Sequence, residues 1–581
     1  MNKLFLTYLL FCSCFVYAQV PDLSLNGKWE AGLNRVYTFT TDVPGITLDP
    51  SKMTDGKLWY KREVMMPKGD WGKTTLVLMG ARFAPEVYVN GIKVSQQNGG
   101  MAPTFHLLNH KSVVPGKTIT IEIALTSLRD LTQTDASYIA RADHWRSNCS
   151  SSLWDDVYLH FHNDARIQRL VPYYNVEKKT IDIRCDFEKI GKGSASNFEA
   201  NIYDLNGKLL LSNAGKCSGN SANIHFNYAN HLQEWTPDNP HLYRLEVLLK
   251  QGNKLVDHKN INIGIKEFTV KNKQFYLNGN PCKMRGGTVV WHRWVRSPEG
   301  SVLGYDVDWF TENIIKRLKD HGANLLRFHL GNPPQRLLDL CDKYGLLVQY
   351  EWSFFHGMPA SRESLMEQYP AWLNLAMQHP SVANYHPYNE TEGDELHIVW
   401  SALDEILTDY PPLVMEERDV IHVHKYWWSL FENVGIYYDD ADQFDKTIMV
   451  DEFGGNYLDE KGDLGGYRSL KESNLRFLGR SNTAEERLNF QTITNARIGE
   501  YWRRINAAGI APFTILSSWE DGNTWFMGKL ADGNPKPVWN ALTALYAPQS
   551  PLVIASILKS PSLYHLLNSV RKFLKPSLPA P

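Results

Sequence analysis

The stretch Asp306-Val-Asp-Trp-Phe-Thr-Glu-Asn-Ile-Ile-Lys-Arg-Leu-Lys-Asp-His-Gly322, followed at once by Ala323-Asn-Leu-Leu-Arg-Phe-His-Leu330, decides the fold. Its first part spaces apolar residues at helical intervals and stops at a glycine. Its second part is short and largely apolar, as a strand covered on both faces must be. The unit then repeats. Gln335 to Gly345 reads as a helix and Leu346-Leu-Val-Gln-Tyr-Glu351 as a strand. Leu365 to His379 is a helix and Ser381 to Glu390 a strand. Ile421-His-Val-His-Lys-Tyr426 and Thr447 to Glu452 are further strands. Glu485 to Gly509 is a long helix, Ile510 to Trp519 a strand, and Val538 to Tyr546 a closing helix. Alternating strands and helices across residues 269–548 predict a (β/α)8 TIM barrel. The fifth strand is the weak member, and Leu413-Val-Met-Glu416 is its candidate.

Upstream the grammar differs. Residues 19–165 carry short alternating runs such as Glu86-Val-Tyr-Val89 and Thr118-Ile-Thr-Ile-Glu-Ile-Ala124, broken by Asn90-Gly91 and Pro115-Gly116. This pattern predicts an antiparallel sandwich, a jelly roll of the galactose-binding type. Residues 166–268 repeat it over about a hundred positions, the size of an immunoglobulin-like β-sandwich. Three domains also suit a chain of 581 residues, too long for one core.

Composition narrows the class. Hydrophobic residues make up 43% and charged residues 21%, as in a soluble globular chain. The net charge of −2 gives no pull toward nucleic acid or anionic membrane. Residues 1–18 have a lysine, an apolar run and Val16-Tyr-Ala18, which predicts a secretory signal peptide cut after Ala18 and a secreted or periplasmic protein. No later run is long enough to span a bilayer. The five cysteines beyond the leader show no metal spacing, and Cys185–Cys217 is a candidate disulfide beside the reading of free thiols. Residues 549–581 form a basic tail without Asp or Glu.

Two glutamates stand at predicted barrel-strand ends. One is in Tyr385-His-Pro-Tyr-Asn-Glu390-Thr, the other in Ile448-Met-Val-Asp-Glu452-Phe-Gly-Gly455. Catalytic groups of TIM barrels sit at such ends. Two facing carboxylates can cleave a glycosidic bond, one as proton donor and one as nucleophile. Arg327 ends the second strand, where a fixed cation can hold a carboxylate ionised. Glu351 ends the third, to bind a sugar hydroxyl or to pair with an arginine. His292, His329 and His386 read first as hydrogen-bonded barrel histidines, with His292 kept as a substrate-binding candidate. Trp352 and Trp525 suit sugar subsites or packing equally.

The motifs taken in order resemble glycoside hydrolase family 2, the group of β-galactosidases, β-glucuronidases and β-mannosidases. They run from Trp59-Tyr-Lys-Arg-Glu63 and Val87-Tyr-Val-Asn-Gly91 through Trp235-Thr-Pro-Asp-Asn-Pro-His-Leu-Tyr243 to Gly322-Ala-Asn-Leu-Leu-Arg327 and Asn389-Glu390. The resemblance implies a retaining exo-β-glycosidase acting on a carbohydrate, β-galactosidase-like as first expectation, with β-glucuronidase or β-mannosidase as alternatives. It implies Glu390 as acid/base and Glu452 as nucleophile. It further implies that Asn389 contacts the sugar 2-hydroxyl, that Arg327 and Tyr426 steady the nucleophile, and that Trp519 walls the pocket. No cofactor is implied. Where galactosidases of the group carry His-Glu, this chain has His292-Arg293, so no metal site is expected. The family's Ser-x-Gly-Asn-Glu is His386-Pro-Tyr-Asn-Glu here, and Pro387 withholds a ladder hydrogen bond. No Asn-x-Lys pair for a uronate stands out, although Lys529 is placed to approach the pocket. The rivals are a catalytically inactive carbohydrate-binding protein on the same scaffold and a metal-dependent hydrolase, for which no ligand cluster is visible.

Overall fold

The computed structural model describes residues 20–47, 56–126, 136–139, 151–191, 195–355, 360–391, 393, 396–425, 444–454, 456–465, 475, 478–517 and 523–547. The expected leader, the basic tail, Tyr426, Trp519 and Cys149 lie outside them. No helix among the described residues is long and apolar enough to cross a membrane.

The first sandwich pairs a four-stranded and a six-stranded antiparallel sheet. Its longest strands, Lys57–Met65 and Thr118–Thr126, run in unbroken register. The hairpin from Glu86–Val89 to Ile92–Gln96 turns through Asn90 and Gly91 at φ 48° and 83°. A two-residue turn with both φ positive matches the strand twist, which is why Asn-Gly stands there. Trp29, Leu76, Val87, Ile121 and Leu159 fill the space between the sheets.

The second sandwich packs a three-stranded sheet on a four-stranded one. Thr180–Lys189 and Tyr243–Gln251 alternate buried and half-exposed residues almost without fault, because each sheet has one dry face. Cys185 and Cys217 are free thiols here, so the candidate disulfide is not formed. A small meander, Phe268–Lys271, Gln274–Leu277 and Asn280–Cys282, follows. Its Phe268, Phe275 and Leu277 pack with Met284, Leu325, Leu347, Val420 and Met449, plugging the bottom of the barrel with apolar groups.

The barrel is a TIM barrel with a curled parallel sheet. Seven strands run in the order Val382–His386, Leu347–Glu351, Leu325–Phe328, Met284–Val289, Gly509–Ile510, Thr447–Phe453, Val420–Lys425. The fifth position is reduced to a bridge. Tyr385 N–H donates to Val414 O at 3.0 Å and Glu416 N–H to Tyr385 O at 3.0 Å, and no regular strand forms over 413–416. The eighth strand is also shorter than expected. Pro512 has no N–H to donate, and beyond Ile510 only single bonds such as Ile515 N to Thr288 O continue the pairing. Helices start where capping chemistry allows. Thr483 and Glu486 form a reciprocal capping box at the head of Ala484–Arg504, and Gly345 at φ 76° closes Gln335–Tyr344.

Candidate active site

Two backbone irregularities aim the carboxylates. On Thr447–Phe453 the register slips against Val420–Lys425, so that His422 faces Met449 but His424 faces Glu452. A bulge of this kind lets successive residues share one side of a sheet. Asp451 and Glu452 accordingly both point into the barrel. The second irregularity follows Pro387. The Val382–His386 strand stops before the proline, and Asn389 N–H then donates to Phe354 O at 2.9 Å. Glu390 takes φ 43°, a left-handed conformation that is strained for any residue but glycine and concentrates at functional sites. The expected strand over Ser381 to Glu390 is thus half as long as read, but its end still delivers Asn389 and Glu390.

Arg327 is the hub. It is fully buried, and its Nε donates to Glu351 Oε1 at 2.5 Å. Its Nη1 donates to Glu452 Oε1 and to Asp451 O, both at 2.9 Å, and its Nη2 to Asn389 Oδ1 at 3.0 Å. One guanidinium therefore fixes the carboxylate of Glu452 and the amide of Asn389 together, as the planar donor fork allows. With Oδ1 taken, Asn389 Nδ2 is a buried donor without a hydrogen-bond partner among the described residues. Such a donor is costly unless something arrives to accept from it.

Glu351 is wholly buried, bonded to Arg327 and to His329 Nδ1 at 2.8 Å. Burial raises its cost of ionisation, but the Arg327 guanidinium outweighs this and holds the carboxyl well below the usual range. Of its two expected roles, the structure gives the arginine pair and not a sugar contact. His292 is also corrected. Its Nδ1 lies 2.8 Å from Arg82 Nη2 of the first sandwich and its Nε2 lies 2.9 Å from Asn332 O within the barrel, so one nitrogen joins the two domains and the other is held by the barrel itself. Trp352 and Trp525 are each 1% exposed inside aromatic clusters and pack. Lys529 is exposed beside the short turn Leu530–Asp532.

Glu390 and Glu452 meet across His424. The side chain of Glu390 is 30% exposed and that of Glu452 only 5%. One oxygen of each, with a nitrogen of His424, lies within 4.8 Å of the others. His424 Nδ1 is 2.6 Å from Glu390 Oε1 and 3.5 Å from Glu452 Oε2, and its Nε2 is 3.3 Å from Asp451 Oδ1. Burial alone would strip the proton from this imidazole. The Glu452 and Asp451 carboxylates outweigh it and hold the proton well above the ordinary histidine range. Deeper in, Asp451 Oδ2 accepts from Gln349 Nε2 at 2.6 Å and lies 2.8 Å from His422 Nδ1. His386 pairs with Glu416, and despite burial that carboxylate and Glu351 push its titration up to about 10.

Folding thus creates close groups of ligand-type atoms that were not visible in the sequence. Besides Glu390, His424 and Glu452 these are His386, His422 and Asp451, and Asp339, Asp342 and His379. His379 is bonded to Asp342 at 2.7 Å, and His424 carries its proton between carboxylates. The donor sets therefore read as salt-bridged networks. His422, His424 and Asp451 are the residues that sequence reasoning passed over. Strand alternation put His422 and His424 on the face of Tyr426, and that was the available signal.

Comparison with known proteins agrees with the family read from the motifs. Residues 165–266 match the family description "Glycosyl hydrolases family 2". A β-glucuronidase of Formosa agariphila is 23% identical over 415 residues, 65% of this chain and 41% of that protein. The β-D-glucuronidase structure from Dictyoglomus thermophilum superposes with TM-score 0.68 at 18% identity, covering 91% of this chain and 97% of that one. The Bacteroides uniformis β-glucuronidase 2, covalently bound to cyclophellitol-6-carboxylate aziridine, gives TM-score 0.68 at 17% identity over 91% and 70% of the two chains. The matched parts make up 32% to 44% of the length of the first curated relatives.

Proposed function

We propose that this chain is a retaining exo-β-glycosidase that removes terminal β-linked glucuronic acid from saccharides. The observation that carries the reaction is the Glu390–Glu452 pair, with oxygens inside 4.8 Å and Arg327 bonded to Glu452. A double displacement needs carboxyl groups about 5–5.5 Å apart, whereas an inverting enzyme keeps about 6.5–9.5 Å for a water. In the first step Glu452 attacks the anomeric carbon while Glu390 protonates the departing oxygen. In the second, Glu390 takes a proton from water as that water displaces Glu452. Asn389 Nδ2 is placed as donor to the 2-hydroxyl, a contact that strengthens in the oxocarbenium-like transition state. Sugar identity rests on the relatives. The Formosa agariphila protein and the Dictyoglomus thermophilum structure are both named β-glucuronidases, so glucuronate replaces galactose as the first expectation.

A panel of nitrophenyl β-glucuronide, β-galactoside, β-mannoside and β-glucosaminide, with NMR of the first-released anomer, tests both parts. The expected result is fastest release from the glucuronide with the β-anomer appearing first. An α-anomer first would overturn the double displacement, and preference for another glycoside would overturn the sugar.

A further inference from the structure

We propose that His424 is a positioning residue whose imidazolium serves both glutamates in turn, following one negative charge as it moves from Glu452 to Glu390. This rests on the double displacement proposed above. Before the first step the ionised group is Glu452 and Glu390 holds its proton. Glu452 then forms the bond to the anomeric carbon, the bond from that carbon to the leaving oxygen breaks, and the Glu390 proton goes to that oxygen. Glu452 is now a neutral ester and Glu390 a carboxylate. The site has exchanged the address of one charge and gained none. A cation placed on only one glutamate would favour one half-reaction and oppose the other.

The geometry meets this requirement with one ring. His424 Nδ1 stands 2.6 Å from Glu390 Oε1 and 3.5 Å from Glu452 Oε2. Arg327 by contrast is bonded to Glu452 Oε1, and its contacts with Glu351, His329, Asp451 and Asn389 do not extend to Glu390 among those observed. It stays with the nucleophile throughout. The far side of the ring faces Asp451, whose Oδ1 lies 3.3 Å from Nε2 as a charge contact without hydrogen-bond alignment. Among the described residues, the charged groups facing the ring are Glu390 from the segment after Val382–His386, and Asp451 and Glu452 from Thr447–Phe453. His422 stands two residues away on its own strand and bonds Asp451 Oδ2 at 2.8 Å. Arg327 and His329 lie one carboxylate further. Three carboxylates around one largely buried imidazole push its titration well above the ordinary histidine range. The bulge that brings His424 opposite Glu452 is the backbone feature that makes the bridge possible.

A bridging cation makes Glu390 a stronger acid, since it stabilises the carboxylate that proton donation leaves behind. Its loss should therefore matter most where the leaving group needs the proton most. The test compares wild type with His424→Asn and His424→Lys on aryl and alkyl β-glycosides of graded leaving-group acidity, with thermal melts to confirm folding. His424→Asn should lose on the order of 10²-fold in kcat/KM on alkyl glycosides, within the range of general-acid contributions. It should lose little on nitrophenyl glycosides. Both limbs of its pH–rate profile should move to higher pH, because neither glutamate then has the cation that favours its ionised form. His424→Lys should recover part of the alkyl activity. An equal loss on all leaving groups with unmoved limbs would overturn the proposal and leave His424 a packing residue. Imidazole NMR of the wild-type protein tests the charge without turnover. The ring should titrate well above the ordinary histidine value of 6.5, and a titration at or below that value would overturn the inference. Wild type that cleaves no glycoside but keeps that imidazolium would count against the glycosidase reading alone.

Discussion

Replacing Arg327 with methionine should destabilise the barrel by several kilocalories. The guanidinium is fully buried and lies 2.5 Å from Glu351, 2.9 Å from Glu452 and 3.5 Å from Asp451. Methionine keeps much of the volume and removes the charge, so three carboxylates lose their common partner. Breaking one buried pair costs about 3–5 kcal/mol, because the orphaned charge stays out of water. A barrel of this size shifts its melting temperature by about 2–4 °C per kcal/mol, so a fall of roughly 6–20 °C at pH 7 is expected. The penalty should shrink in acid. Arg327 holds Glu351 and Asp451 well below the usual carboxylate range, so their stabilisation is present above that range and fades as pH falls through the lowered values. The double variant Arg327→Met/Glu351→Gln should recover part of the loss, since one stranded charge is gone. Calorimetry on the three proteins, from neutral pH down to well below the ordinary carboxylate pKa of about 4, measures this. A loss under about 1 kcal/mol at neutral pH, or a penalty that grows in acid, would refute the reasoning about a buried hub.

Glu390→Gln should reduce kcat/KM on alkyl glycosides by roughly 10²–10⁴-fold, with exogenous azide restoring turnover of an activated aryl glycoside as a β-glycosyl azide; initial rates and product analysis decide it. Asn389→Ala should cost several kcal/mol of transition-state binding on the parent glycoside but little on its 2-deoxy analogue, as comparison of the two kcat/KM values would reveal. His386 titrates near 10 against an ordinary 6.5, so its stabilisation is complete below pH 6.5 and erodes as pH rises to about 10. Wild-type melting temperature should fall over that interval, and His386→Gln should show a flatter profile.

The periodicities in the sequence carried the architecture well. Thr180–Lys189 alternates in the structure as it does in sequence, and Gln335–Tyr344 ends at the glycine that marked it. Local pattern failed where tertiary pairing sets the strand. Leu413 to Glu416 has strand-like composition yet pairs only through isolated bridges among the described residues, Met415 with Tyr385 and Glu416 with Val420, and Pro512 cuts short a run that looked continuous. The glutamates were visible because carboxylates at strand ends after apolar runs are conspicuous. Their surroundings were not. Arg327 bonding Asn389, His424 bridging to Glu390 and Gln349 bonding Asp451 all join residues far apart in the chain. A bulge turns both Asp451 and Glu452 inward, and a one-residue slip of register leaves no trace in composition. Glu351 and His292 have the residue types of sugar ligands, and only their bonding partners show that they serve the scaffold.

The central claim is that Glu452 is a nucleophile that becomes covalently glycosylated. Incubation with a glucuronate-configured cyclophellitol aziridine or 2-fluoro-glycosyl fluoride, followed by intact-mass and peptide mass spectrometry, measures it directly. One adduct per chain on the peptide containing Glu452, absent in Glu452→Gln, is the predicted result. Reversible binding with no adduct, or an adduct on another residue, would contradict the account.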